Sequence, residues 1–298
     1  MKGPLLSEMS RRLPLEAWGR RAMAAADAWA EPSAWRRGLL EFLWFGLKQA
    51  YACLFGGTML GLILLTFVLW PDDSPVSRYD FLVVGAVVIQ ALMLGLKLES
   101  WAEARVILLF HVAGTIMELF KTAHGSWVYP ENSVLRIGAV PLFSGFMYAA
   151  VGSYIARVQR IFHIRVNGYP PVWTTWVLAA AIYVNFFAHH WLPDVRLALF
   201  AATALLFGRG WFWFTADRMR LKMPLLLGYF LVALFIWFAE NLGTFAKAWA
   251  YPGQESGWEM VSVAKLGSWF LLMIISVVMV SLVHRPEEEP RAGSSSGA

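Results

Sequence analysis

Runs of about twenty mostly apolar residues recur along this chain, at about 45–70, 80–97, 105–122, 138–157, 172–191, 195–214, 223–243 and 260–283. Coiled into a helix, a run of that length covers a hydrocarbon core of roughly 30 Å. Hydrophobic residues make up 58% of the chain and charged residues 15%, against roughly a quarter charged in soluble domains. The expected fold is therefore an all-α polytopic membrane protein of about eight transmembrane helices. A β-barrel would show shorter segments of alternating hydrophobicity instead.

Loop charge sets the expected orientation. Arg157, Arg160 and Arg165 follow the fourth run, and Arg218, Arg220 and Lys222 follow the sixth. Together with a basic N-terminus they fall on one side, the cytoplasmic side by the positive-inside rule. Asp72, Asp73, Glu131, Asp194, Glu255 and Glu259 fall on the other. The net charge of +5 belongs to this pattern and gives no reason to expect nucleic acid. The expected location is the bacterial inner (plasma) membrane, multi-pass, with both termini cytoplasmic. Residues 1–43 interleave Arg and Lys with Leu13, Leu15, Trp18, Met23, Trp29 and Trp35. This is the make-up of a basic amphipathic helix lying in the interface, or of a cytoplasmic tail. It lacks the compact apolar core and cleavage site of a signal peptide. Residues 285–298 are polar and expected to be disordered. The single cysteine, Cys53, permits no internal disulfide and is expected to be a small buried apolar side chain.

A repeat lies over these runs. From Glu118 the chain places Trp127 nine residues on, Tyr129 eleven and Pro130 twelve; from Glu240 it places Trp249, Tyr251 and Pro252 at the same spacings. An offset of 122 residues maps the third run onto the seventh and the fourth onto the eighth. Four matched positions suggest a duplication, with repeats at 44–165 and 166–284. An even number of crossings per repeat gives both halves one orientation, related by a pseudo-twofold axis along the membrane normal.

A carboxylate inside an apolar run is costly and marks a candidate site. Glu118 shares one helix face with His111, Thr115 and Thr122, and Lys121 lies three residues away, within pairing reach. The catalytic candidates are therefore Glu118, Glu240, His111 and Lys121. Trp127, Tyr129, Asn241, Trp249, Tyr251, Asn185 and His189 are the substrate-binding candidates. A carboxylic acid in a low-dielectric site can stay protonated near neutrality and donate to an alkene or a leaving group. A second carboxyl in different surroundings can act as base. The competing reading of the same residues is a buried polar network that locks helices together. His111, His124, His189 and His190 are the residues that would bind a metal or haem. No His-x3-His or His-Glu-x2-His spacing is present, so neither metal nor other cofactor is expected. Phosphate loops, Gly-x-Ser-x-Gly elbows and paired Cys motifs are absent too. The expected partners are membrane lipids and a lipophilic small molecule; the oligomeric state is open.

The stretch MELFKTAHGSWVYPE, followed by PLFSGFMYAAVGSYIAR from Pro141 to Arg157, resembles the bacterial membrane family DUF817. The resemblance covers about residues 40–285 and implies no particular activity. A more distant likeness, in the glycine-aromatic turn and the Pro-Leu-led helix after it, is to membrane lycopene cyclases and carotenoid hydratases. Those would imply acid–base chemistry on an isoprenoid. Their Pro-Leu is followed by acidic residues, whereas Pro141-Leu142 is followed by Phe143-Ser144-Gly145, which leaves only Glu118 and Glu240 to supply the acid. The functional expectation is an enzyme acting on a lipophilic, possible isoprenoid, substrate between the repeats near the extracytoplasmic side. A small-solute or lipid transporter and a membrane scaffold or assembly factor are the alternatives.

Overall fold

A computed structural model describes residues 16–71, 73–254, 256–283 and 287–288. Most of the expected N-terminal segment before residue 16 and the tail beyond 288 lie outside the described residues. The helices in chain order are α1 (Glu16–Ala30), α2 (Ala34–Ala52), α3 (Leu54–Leu69), α4 (Arg78–Gly95) and α5 (Trp101–Ala123). A two-stranded hairpin, β1 (Arg136–Ile137) with β2 (Val140–Pro141), leads into α6 (Phe143–Ile161). Then come β3 (Arg165–Asn167), α7 (Val172–Ala188), α8 (Arg196–Phe207), β4 (Trp211–Thr215), β5 (Arg220–Pro224), α9 (Leu225–Phe245), α10 (Val263–Ser281) and β6 (Glu287–Glu288).

The molecule is mostly helical, and a helix lies in each of the eight apolar runs. By length and composition, α4, α5, α9 and α10 can cross a membrane, with α2 and α3 making a fifth span if taken together. This is the character of a multi-pass membrane protein. Outward-facing apolar side chains fit it: Val84, Val88 and Leu92 on α4 and Leu108, Val112 and Ile116 on α5 are all exposed.

Several expectations need correction. The first run is not one straight helix, because α2 and α3 meet at Cys53 with a bend of 68°. Cys53 is exposed there, not buried. The sixth run stops as a helix at Phe207; twelve residues rise only about 18 Å, too short to span. The glycine pair Gly208 and Gly210 lets the chain turn, and the aromatic run Trp211 to Phe214 continues as a strand, where aromatic side chains are favoured. The fold is therefore not all-α. A four-stranded sheet in the order β5-β4-β3-β6 closes one end of the bundle, with Val166 opposite Phe212 and Phe212 opposite Met223. The turn of this sheet is tied to α2: Glu41 accepts the backbone N–H groups of Asp217, Arg218 and Met219 at 2.9, 2.8 and 2.7 Å. Finally, Arg157 is not a solvated loop cation. Its side chain is fully buried and pairs with Glu99 at 2.7 Å, and Glu99 also accepts from Ser153 and Gln90.

The tightest helix pair is α5 with α6. Small residues line the contact: a Cβ on Gly145 would sit 2.4 Å from Nδ1 of His111, and one on Gly152 would sit 2.6 Å from the Phe110 ring. Such close backbone approach drives helix association where lipid removes the hydrophobic incentive. One apolar cluster joins α5 and α6 to α7, α8, α9 and α10. A second gathers Trp127, Ala246, Ala248 and Trp249 with Ile63, Tyr79 and Phe143, so both Trp-x-Tyr-Pro turns pack into a single core.

Candidate functional site

Helix α5 begins at a capping box, in which Ser100 and Glu103 satisfy each other's backbone N–H groups. It ends where Gly125 turns left-handed at φ 66, a conformation glycine adopts without penalty. The N–H of Ser126 closes the end on Lys121 O at 3.0 Å. The chain reversal sends the next residues back along the helix. Trp127 Nε1 and Tyr129 Oη both donate to Oε2 of Glu118 at 2.7 Å. Tyr148 on α6 donates to Oε1, also at 2.7 Å. Tyr148 reaches this position because its ring lies over Gly114, where a Cβ would be 2.7 Å from ring carbons.

Helix α9 ends in the same way at the offset of 122. Lys247 takes the left-handed position at φ 52, and Ala248 N–H closes on Gly243 O at 3.0 Å. Thr244 Oγ1 donates to Glu240 O at 3.1 Å as Thr122 Oγ1 donates to Glu118 O at 2.8 Å. Tyr251 donates to Oε1 of Glu240, and Trp269 Nε1 donates to Oε2 at 2.6 Å. The two turns meet each other directly: Val128 and Ala250 exchange both N–H···O bonds, each at 2.9 Å. Those two residues are themselves 122 apart.

Lys265, on α10, links the two turns. Its Nζ lies 4.0 Å from the ring centre of Tyr251 and 5.4 Å from that of Trp127, a cation–π arrangement. Outside the helices, burial and then the neighbouring carboxylates hold the Tyr129 and Tyr251 phenols well above their ordinary value. Both stay protonated as donors.

A cavity of about 1650 Å³ opens beside this cluster. Glu118, Lys121, Trp127, Tyr129, Asn185, His189, Glu240, Trp249 and Tyr251 all line it. It extends to the sheet, where Phe214, Thr215 and Asp217 line it as well. Two sequence candidates lie elsewhere. His111 packs its ring 4.5 Å from Phe146 at the α5–α6 contact. Asn241 bonds Trp237 O at 2.8 Å and Val261 N at 2.9 Å, tying α9 to the loop before α10.

Several candidates also have partners that their spacing did not indicate. Lys121 turns away from Glu118: its Nζ is 3.3 Å from His190 Nε2 and 4.1 Å above the Phe186 ring. Desolvation, then the charges of Lys121, His189 and His124, hold the His190 imidazole below its ordinary value. Asn185 bonds Asp194 and the Val195 N–H, each at 3.0 Å. His189 Nδ1 lies 3.1 Å from Asn185 O. Among the described residues no group of three His, Cys, Asp or Glu side chains is placed to hold a metal ion. Sequence reasoning missed Tyr148 and Trp269, which sit 30 and 29 residues after their carboxylates. Their near-equal spacing was the available signal.

The family described as protein of unknown function (DUF817) matches residues 41–277. The chain belongs to the DUF817 family. Within reach of that DUF817 match lies a Bacillus subtilis (strain 168) relative, described as uncharacterized protein YoaT. It is 38% identical over 253 residues, covering 85% of this chain and 95% of the relative. Among solved structures, this DUF817 chain is similar to the mycobacterial Insig homolog MvINS from Mycobacterium vanbaalenii. That likeness has a TM-score of 0.46 and 16% identity, covering 63% of this chain and 98% of the other. A cross-linked trimer of the same protein gives a TM-score of 0.45 at the same identity and coverage. None of these comparisons supports the lycopene-cyclase likeness. The position where cyclases carry acidic residues is occupied by Phe143, Ser144 and Gly145, all buried.

Proposed function

We propose that this DUF817 protein is a membrane enzyme that carries out acid–base chemistry on a lipophilic molecule, with Glu118 and Glu240 as the working pair. The observation that carries the reading is that both carboxylates line one cavity of about 1650 Å³. Each is oriented by Trp and Tyr donors. Glu118 has three such donors and Glu240 has two. Their surroundings therefore differ, as an acid and a base on one substrate require. Trp127, Tyr129, Trp249 and Tyr251 form the wall against which an apolar substrate packs. Lys121 and His189 sit at the rim, and His111 supports α6 from behind.

This reading includes a tandem repeat of four plus four helices, α3–α6 and α7–α10, across a pseudo-twofold axis between Val128 and Ala250. Reciprocal bonding between equivalent residues is what such an axis produces. The matched helix ends at Gly125 and Lys247 support it further. In this arrangement all eight helices lie in the plasma membrane, the shorter ones within the bundle, with the sheet and both termini on the cytoplasmic side.

The test is to supply membranes containing the protein with prenyl and acyl lipids and read the products by mass. Conversion that disappears in Glu118→Gln and in Glu240→Gln is expected; conversion undiminished in Glu118→Gln would remove the proposed acid. A second reading, transport, is favoured by the reach of the cavity from the carboxylates to the sheet. Flux into proteoliposomes without chemical change would establish it instead.

A further inference from the structure

The carboxylates at the head of the cavity take their hydrogen bonds from neutral donors, and neither lysine there makes a direct contact with them. Glu118 takes its bonds from Trp127, Tyr129 and Tyr148, and Glu240 from Tyr251 and Trp269. Among the described residues neither Lys121 nor Lys265 has a carboxylate oxygen within ion-pair distance. Lys121 rests against the His190 ring nitrogen and the Phe186 face, and Lys265 against Tyr251 and Trp127. Arg196 stands within electrostatic reach of both lysines and pairs with Asp194 at 2.8 Å. All three cations line the cavity. Beyond them the wall is apolar, formed by side chains such as Ile182, Phe235, Ile236 and Leu272.

Glu240 and Glu118 act on Lys265, and Asp194 on Lys121, only through space; a buried or half-buried ammonium with no direct ion pair gains from a ligand that supplies one. The volume exceeds the roughly 300–1,000 Å³ of ordinary small-molecule pockets, which leaves room for a long chain. We infer that the cavity binds an amphiphile with a single anionic head, a carboxylate or a phosphate, seated among Lys121, Lys265 and Arg196, with its apolar tail running toward the sheet. The inference rests on the proposed function only in using the same cavity, and it names the class of molecule that would present itself to Glu118 and Glu240.

Calorimetric titration of the full-length protein in neutral detergent separates the possibilities, with oleate, farnesyl phosphate and the uncharged oleyl alcohol as probes. An anion contacted by charged donors gains about tenfold or more in affinity over its neutral counterpart. Oleate or farnesyl phosphate is therefore expected to bind at least tenfold tighter than oleyl alcohol, and whichever is tighter distinguishes a carboxylate from a phosphate head. That advantage is expected to shrink in Lys265→Gln and again in Lys121→Gln. Oleyl alcohol binding as tightly as both anions, or an anion affinity unchanged in both lysine variants, would overturn the inference. Cys53 also lines the cavity and is the only cysteine, so maleimide labelling gives a second readout that does not depend on the lysine variants. Labelling slowed by oleate but not by octanoate is expected; equal labelling rates with and without oleate would count against a tail in the cavity. Anion binding that persists in a Glu118→Gln protein devoid of turnover would uphold this inference even if the chemistry proposed above fails.

Discussion

Glu99 accepts from Arg157, Ser153 and Gln90, and its side chain and that of Arg157 are both fully buried. Removing one member of such a pair strands the other charge and costs about 3–5 kcal/mol. Glu99→Ala is expected to lower the thermal unfolding midpoint in detergent sharply. Arg157→Met combined with Glu99→Leu is expected to recover most of that loss, since an apolar replacement of a buried pair is often neutral. A double variant no more stable than Glu99→Ala would show that the pair contributes more than mutual neutralisation. Glu118 and Glu240 differ in kind from Glu99, because all their hydrogen-bond partners are neutral. Glu118 and Glu240 stood out in the sequence as candidates, because a carboxylate in an apolar run is costly and two recur at matched spacing. Lys121 lay within pairing reach of Glu118 in the sequence but contacts His190 and Phe186 instead, because a separation of three residues permits contact without requiring it. Arg157 was misread as a loop cation because positive-inside counting does not see Glu99, which lies 58 residues earlier.

At the scale of elements, the α5–α6 contact sets the geometry of the first carboxylate. Gly114 leaves the space that the Tyr148 ring fills, and the Tyr148 hydroxyl then reaches Glu118 one turn along α5. Adding a methyl group where no room exists costs about 1–3 kcal/mol. Gly114→Ala is expected to destabilise by that amount and to displace Tyr148, so that Tyr148→Phe adds little further loss to Gly114→Ala. Additive losses in thermal unfolding of the two variants would mean the contacts are independent. The helices were readable from apolar runs alone, while the sheet was not. Strands of two to five residues carry too short a pattern, and the Trp211 to Phe214 run reads as the end of a membrane helix until Gly208 and Gly210 are seen to break it. The bend at Cys53 has no such marker, since neither Cys53 nor its neighbours break a helix by propensity.

For the whole molecule, the pairing of Val128 with Ala250 is the backbone contact described between the two turns. Hydrogen-bonded antiparallel partners place their Cα atoms about 5.5 Å apart, within the range a disulfide spans. In a Cys53→Ser background, Val128→Cys with Ala250→Cys is expected to oxidise to an intramolecular crosslink, read as a mobility shift reversed by reductant. Crosslinking only between molecules would show that the turns do not meet within one chain. The equal spacing of the two turns could be seen in the sequence through four matched positions. Their meeting point could not, because Val128 and Ala250 bond through backbone groups that every residue carries.

Helix α6 is as long as the membrane-crossing helices but is not among those apolar enough to cross, since it carries Ser144, Ser153, Arg157 and Arg160. An arginine presented to lipid on its own opposes insertion by about 2.5–3.5 kcal/mol or more. During synthesis, then, α6 has no reason to leave the translocation channel alone. Its entry into a bilayer would depend on α5 and the segment bearing Glu99, which precede it in the chain and bring the counter-charge with them.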